Sequence, residues 1–173
     1  MVNYSADFIE NYAELTTELR KLTHDKHKWE WTESHQNAFE KIKISICDNT
    51  MLSYFHPTWD TLVICDGSPN GVAGILTQIN PDTNKREVVA YASRTLTDAE
   101  TRYGQIEREA LAIHFACLKF QIFLLGKPFV VATDHKPLVH MFNKPKTQMP
   151  YRIERIRMKL QGFEFIVQHL PGL

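Results

Sequence analysis

The sequence predicts an α/β protein, a mixed five-stranded sheet covered by helices with a helical appendage in front of it. Three observations carry this reading. Between Thr61 and Ser93 the hydrophobic period is that of strands, broken twice by turn residues. A long helical pattern follows from Thr101 and stops at Gly126 with Pro128 beyond it. The remaining chain then reads as strand, two helices and strand, which closes a mixed sheet under helices.

Taken in order, the first helix spans Asp7 to Leu22, with apolar residues at Phe8, Ile9, Tyr12, Leu15, Leu19 and Leu22 making one stripe. Trp29-Glu30-Trp31 is a short extended piece. Thr32 stands where an N-cap belongs, and Ala38, Phe39, Ile42 and Ile46 carry a second helix to about Asp48. A loop runs through Pro57. Leu62-Val63-Ile64-Cys65-Asp66 is a buried strand ending in a carboxylate, and Gly67-Ser68-Pro69-Asn70-Gly71 is the turn after it. Val72 to Ile79 is the second strand, Asn80-Pro81-Asp82-Thr83-Asn84 a hairpin loop, and Glu87 to Ser93 the third strand. Thr101 to Leu125 reads as one helix. Phe129 to Asp134 is a fourth strand that again ends in Asp; Leu138 to Phe142 and Tyr151 to Gln161 are short helices, and Phe163 to Val167 is the last strand.

Composition narrows the function classes. The 173 residues fit one domain of ordinary size, about 150 residues, plus the appendage. No apolar run approaches the ~18 residues of a membrane span, and the first residues lack a signal-peptide pattern. The expected location is therefore intracellular. Cys47, Cys65 and Cys117 are far apart in apolar surroundings and read as buried thiols; His24-Asp25-Lys26-His27 reads as a solvated turn and not a zinc site. The 20 Lys+Arg balance the 20 Asp+Glu, but unevenly along the chain. Residues 1–125 hold 12 basic and 17 acidic side chains, net −5; residues 126–173 hold 8 and 3, net +5. A basic C-terminal third can present one positive face to a polyanion, and overall neutrality argues against coating nucleic acid by charge alone.

Two strands that end in Asp66 and Asp134 point to a ligand site, because sites in open α/β sheets form at strand ends. The long helix offers Glu107 and Glu109. At about 100° per residue, Glu109 lies about 60° from the centre of the sheet-facing stripe and Glu107 about 100°, so Glu109 leans towards the sheet. Converging carboxylates are hard oxygen donors suited to Mg²⁺, and a pair of such ions ~3.5–4 Å apart can activate water and stabilise a leaving oxygen.

The runs VICDGS (63–68), QIEREALAIHFACLKFQIFLLG (105–126) and VVATDHKPL (130–138) occur in this order. Together they resemble the RNase H domain of gypsy-type LTR retrotransposon reverse transcriptases. VVAYASRTLT (88–97) and FEFIVQHLPG (163–172) resemble its third and final strands, residues 29–57 resemble the polymerase–RNase H linker, and residues 3–23 the helix before it. The resemblance implies an RNase H-like fold at 58–173 behind a thumb or linker remnant at 1–57. It also implies that the domain stops short of its last helix and of a fourth carboxylate downstream. Asp66, Glu109 and Asp134 match the family's metal-binding acids, two Mg²⁺ (or Mn²⁺) ions being implied, and His169 matches its site histidine. Asp66-Gly67-Ser68 departs from the gypsy-type Asp-Ala-Ser. The implied activity is metal-dependent cleavage of the RNA strand of RNA–DNA hybrids within a retroelement polyprotein that also carries the polymerase. Ser68, Asn70, Arg94, Tyr103, His135 and Lys136 flank the site in sequence and are candidates for contacts to the hybrid. The alternative is a catalytically incomplete retroelement fragment that serves as a structural or interaction module.

Overall fold

The computed structural model describes residues 9, 11–23, 29–47, 52–144 and 147–171. The turn expected at His24–His27, residues 7, 8 and 10 of the expected first helix, and residues 48–51 of the expected loop lie outside them. Strands β1 (Asp60–Gly67), β2 (Gly71–Ile79) and β3 (Arg86–Thr95) form an antiparallel meander, and β4 (Phe129–Thr133) and β5 (Phe165–His169) add to it in parallel. The spatial order is β3-β2-β1-β4-β5. The expected mixed five-stranded sheet is therefore present.

Side-chain alternation divides the sheet into two faces. Val63, Cys65, Val72 and Leu76 point to helix α3 (Gln105–Lys119), which buries Ala110, Ile113, Ala116 and Cys117 against them. Gly74 makes this approach possible: a Cβ there would stand 2.6 Å from the Ala116 Cβ. Helices α5 (Lys136–Asn143) and α6 (Tyr151–Lys159) complete this layer through Leu138, Ile153 and Ile156. On the opposite face, α1 (Tyr12–Lys21) packs on β3 and β2 and α2 (Glu33–Cys47) packs on α1. The Ala13 amide donates to Ser93 Oγ at 2.9 Å, fixing α1 near the end of β3. The segment before β1 is also tied to the sheet. Ser53 N–H donates to the Val88 carbonyl at 2.7 Å, and Gln78 both accepts from the His56 amide and donates to its carbonyl, each at 2.8 Å.

Three elements differ from expectation. The long helix is not continuous to Leu125. A 3-10 turn occupies Glu100–Arg102, α3 starts at Gln105, and Phe120 leaves helical geometry before the single turn α4 (Gln121–Leu124). Phe120 is 2% exposed, packed beside Gly74, and this burial holds the break. The first helix begins at Tyr12, because Asn11 before it has φ 51°, a left-handed conformation that Asn tolerates better than most residues. The last strand is Phe165–His169 and not 163–167; Phe163 instead sits edge-on to Phe129. Among the described residues, no helix is long and apolar enough to cross a membrane.

Candidate active site

Asp66 is the penultimate residue of β1, β4 hands directly to Asp134, and α3 packs on β1 with its first turns against Gly67. Gly67 permits that packing. A Cβ on it would stand 2.8 Å from the Arg108 carbonyl carbon and oxygen and 3.0 Å from the Glu109 nitrogen. Glycine here brings α3 against β1, and with it the carboxylate of Glu109.

Glu109 is 1% exposed, an unusual position for a carboxylate unless something compensates it. Its Oε1 accepts from Gln105 Nε2 at 2.8 Å; its Oε2 is buried and, among the described residues, has no hydrogen-bond partner. Gln105 is itself held by Arg108, whose guanidinium donates to Gln105 Oε1 at 2.7 Å and to the Tyr103 carbonyl at 3.2 Å. Arg108 therefore orients Gln105, and Gln105 orients Glu109. Burial first, and then the negative charges of Asp134 and Asp66, push the Glu109 carboxyl up to about 7. Asp66 is pushed above the usual carboxylate range by partial burial and by Asp134, with Glu14 of α1 adding to it; the Gly67 amide pulls it partly back. Three acids thus share one end of the sheet and feel one another. Among the described residues no group of three or more His, Cys, Asp or Glu side chains is drawn into ligating range of a single point.

His169, at the end of β5, pairs with Thr133 across the ladder and places Nε2 3.0 Å from the Asp134 carbonyl oxygen. The Glu107 side chain turns elsewhere. It caps α3 by accepting from the Gly104 amide at 3.0 Å and pairs with Arg152 at 2.5 Å.

The sequence matches the RNase H-like domain found in reverse transcriptase over residues 31–131. It is 33% identical over 98% of its length to a retrovirus-related Pol polyprotein from transposon 412 of Drosophila melanogaster, of which it covers 13%. The chain belongs to the RNase H-like domain family of reverse transcriptases. Further relatives of this domain are the transposon 297 Pol polyprotein of Drosophila melanogaster (32% identity, 99% of this chain, 16% of the polyprotein) and the Tf2-3 polyprotein of Schizosaccharomyces pombe (29%, 99%, 13%). The domain thus spans about one seventh of the length of these polyproteins. Its fold is shared with the foamy viral protease–reverse transcriptase solved with an RNA/DNA hybrid, at TM-score 0.73 and 20% identity over 99% of this chain and 24% of that one. The same enzyme solved with double-stranded DNA also gives TM-score 0.73, covering 99% of this chain and 37% of that one.

The remaining candidates separate into two groups in the RNase H-like domain. Ser68, Asn70, His135 and Lys136 stay at the carboxylate end. Ser68 closes the β1–β2 turn, its Oγ accepting from the Gly71 amide at 3.0 Å, and Asn70 is exposed at that turn. His135 precedes α5 and Lys136 opens it, exposed. Arg94 and Tyr103 belong instead to the side where α3 meets α6. Arg94 makes two bonds to Glu100 at 2.7 and 2.8 Å and holds that carboxyl down at about 2, while the Tyr103 ring lies 4.0 Å from the Arg152 guanidinium. Sequence reasoning missed Gln105, although its i,i+4 spacing to Glu109 was the available signal. It missed Glu14, which no local pattern connects with Asp66.

Proposed function

We propose that this domain hydrolyses the RNA strand of RNA–DNA hybrids as the ribonuclease H part of a retroelement reverse transcriptase. The observation that carries the reading is the buried Glu109 carboxylate, with Oε2 unpartnered and two aspartates close enough to raise its proton affinity. A buried carboxylate whose charged form two neighbouring aspartates disfavour suits a divalent cation, which would supply the missing positive charge. Asp66, Glu109 and Asp134 are the residues that would hold Mg²⁺ or Mn²⁺, and a pair of such ions would supply Lewis-acid chemistry there, activation of a water and stabilisation of the leaving oxygen of a phosphodiester.

The chain's own residues do the rest. Arg108 and Gln105 hold the Glu109 carboxylate, which is buried from solvent, in a fixed orientation. His169, exposed and with Nε2 beside the Asp134 carbonyl, would move a proton or assist product release at the rim. Lys136 and Asn70 flank the site for sugar or phosphate contacts, and residues 1–57 serve as the thumb or linker remnant that joins the domain to a polymerase.

The test is a cleavage assay with an RNA-labelled hybrid in Mg²⁺ and in Mn²⁺. Wild type is expected to cut RNA in the hybrid and to spare the DNA strand. Asp66→Asn and Asp134→Asn are expected to lower the rate at least ~10²-fold with hybrid binding retained, as fits groups acting on the chemical step. Hybrid binding without cleavage by wild type in either metal would favour the interaction-module reading.

A further inference from the structure

A cleft of about 280 Å³ runs between α3 and α6 on the outer side of the helical layer, away from the carboxylates. Arg94, His114, Arg152, Arg155 and Lys159 line it, with Glu100 as its acid and Tyr103 at its edge. Two of these cations are already engaged: Arg94 with Glu100 and Arg152 with Glu107. Arg155 and Lys159 are exposed, and among the described residues neither pairs with a carboxylate; Arg155 lies 5.8 Å from the Tyr151 ring, itself 74% exposed. His114, half-buried in the wall, has its proton affinity lowered by burial and then by the charges of Lys159 and Arg94. The interior of the cleft is thus at positive potential. Three of the eight basic residues of the C-terminal third, Arg152, Arg155 and Lys159, line this one surface.

Resting on the ribonuclease reading, we propose that this cleft is a second nucleic-acid contact that holds the phosphodiester backbone of the hybrid. Its geometry suits a strand better than a small anion. The cations are spread along one helix, Arg152 and Arg155 three residues apart and Lys159 four further on, so they meet successive phosphates. The flanking Tyr103 and Tyr151 rings give sugars and bases an aromatic surface. The Arg152 end lies beside Tyr103 and Glu107 at the start of α3, the end of the helix that also carries Glu109. The contact reads no base, so it sets affinity and register and not sequence preference.

The test is equilibrium binding of a fluorescein-labelled RNA–DNA hybrid to the full chain in EDTA, where cleavage is silent, across a range of salt concentrations. Arg155→Gln/Lys159→Gln removes two exposed charges. It is expected to weaken binding roughly tenfold at low salt and to reduce the slope of log K against log salt by about 2. Lys41→Gln/Lys43→Gln on α2 removes the same charge elsewhere and is expected to change neither. Unchanged affinity and slope in the α6 variant, or an equal change in the α2 variant, would overturn the proposal. Cleavage by wild type alongside an unaffected α6 variant would leave the ribonuclease reading intact and remove only this contact. Wild type that binds no hybrid at any salt concentration would overturn both.

Discussion

Replacing Glu109 by Gln should make the protein more stable at alkaline pH, the reverse of what removing a bonded buried group usually does. The folded-state carboxyl titrates near 7 and the ordinary value is 4.5. The folded protein therefore holds the Glu109 proton more tightly than the unfolded chain. That contribution is fully present below about pH 4.5 and is lost as pH rises through 7. At pH 8 the ionised side chain is a liability of about 2–3 kcal/mol, taking ~1.4 kcal/mol per unit and discounting because part of the shift comes from neighbouring charges. Gln has nearly the same shape. Its oxygen can accept from Gln105, and its amide can donate towards the two aspartates from the place where Oε2 now has no partner. At ~2–4 °C per kcal/mol for a domain of this size, the variant should melt about 5–10 °C above wild type at pH 8 in EDTA, with a much smaller gap at pH 5. Thermal unfolding followed by circular dichroism at both pH values measures it. Mn²⁺ at pH 8 should narrow the gap by stabilising wild type alone. A variant less stable than wild type at pH 8, or a difference independent of pH, would refute the reasoning.

Other consequences follow from packing and charge. Gly74→Ala drives a methyl into Ala116 and should cost about 1–3 kcal/mol, read as a fall in Tm with cleavage otherwise intact. Arg94→Met removes the partner that holds Glu100 near 2. Stability contributed by that depressed carboxyl is present above about pH 4.5 and lost towards pH 2, so the variant should be about 1 kcal/mol weaker at neutral pH and level with wild type at the acid end of an unfolding titration. Burial pushes the Cys117 thiol up to about 12 and Cys65 well above its ordinary value. Peptide mapping after iodoacetamide at pH 8 should find both unmodified in the folded protein and labelled in urea.

Much of this architecture was legible in the sequence, and the exceptions have physical causes. The apolar runs closing on Asp66 and Asp134, the Gly67–Gly71 turn and the Gly126 stop are local signals, and strand and loop fall where they point. The two-residue shift of the last strand was not visible. Phe163, Phe165 and Val167 alternate identically in either register, and only pairing of Phe129 with Phe165 through Thr133 with His169 chooses between them. The break at Phe120 was hidden for a related reason: its apolar side chain continues the helical stripe, while its burial beside Gly74 is a tertiary fact. At the site, the helical wheel separated Glu109 from Glu107, because which face of α3 meets the sheet is a periodic property. The close approach at Gly67 and the charge of Glu14 on Asp66 join residues distant in sequence and leave no periodic trace, while the Arg108–Gln105–Glu109 support lies within two turns of α3, where i,i+3 and i,i+4 spacing was its only mark.

The central claim is that Asp66, Glu109 and Asp134 bind divalent cations at one end of the sheet. Titration of Mn²⁺ into isotopically labelled protein tests it most directly, because the ion's paramagnetism broadens nearby amide signals whether or not the protein is cleaving anything. The account predicts early broadening at Gly67 and Ser68, at Gln105 to Ala110, and at Asp134, His135 and His169. The Asn80–Asn84 hairpin and α2 should keep sharp signals, and Asp66→Asn should demand more Mn²⁺ for the same effect. Broadening centred elsewhere, or a carboxylate end still sharp when other surfaces have broadened, would contradict it.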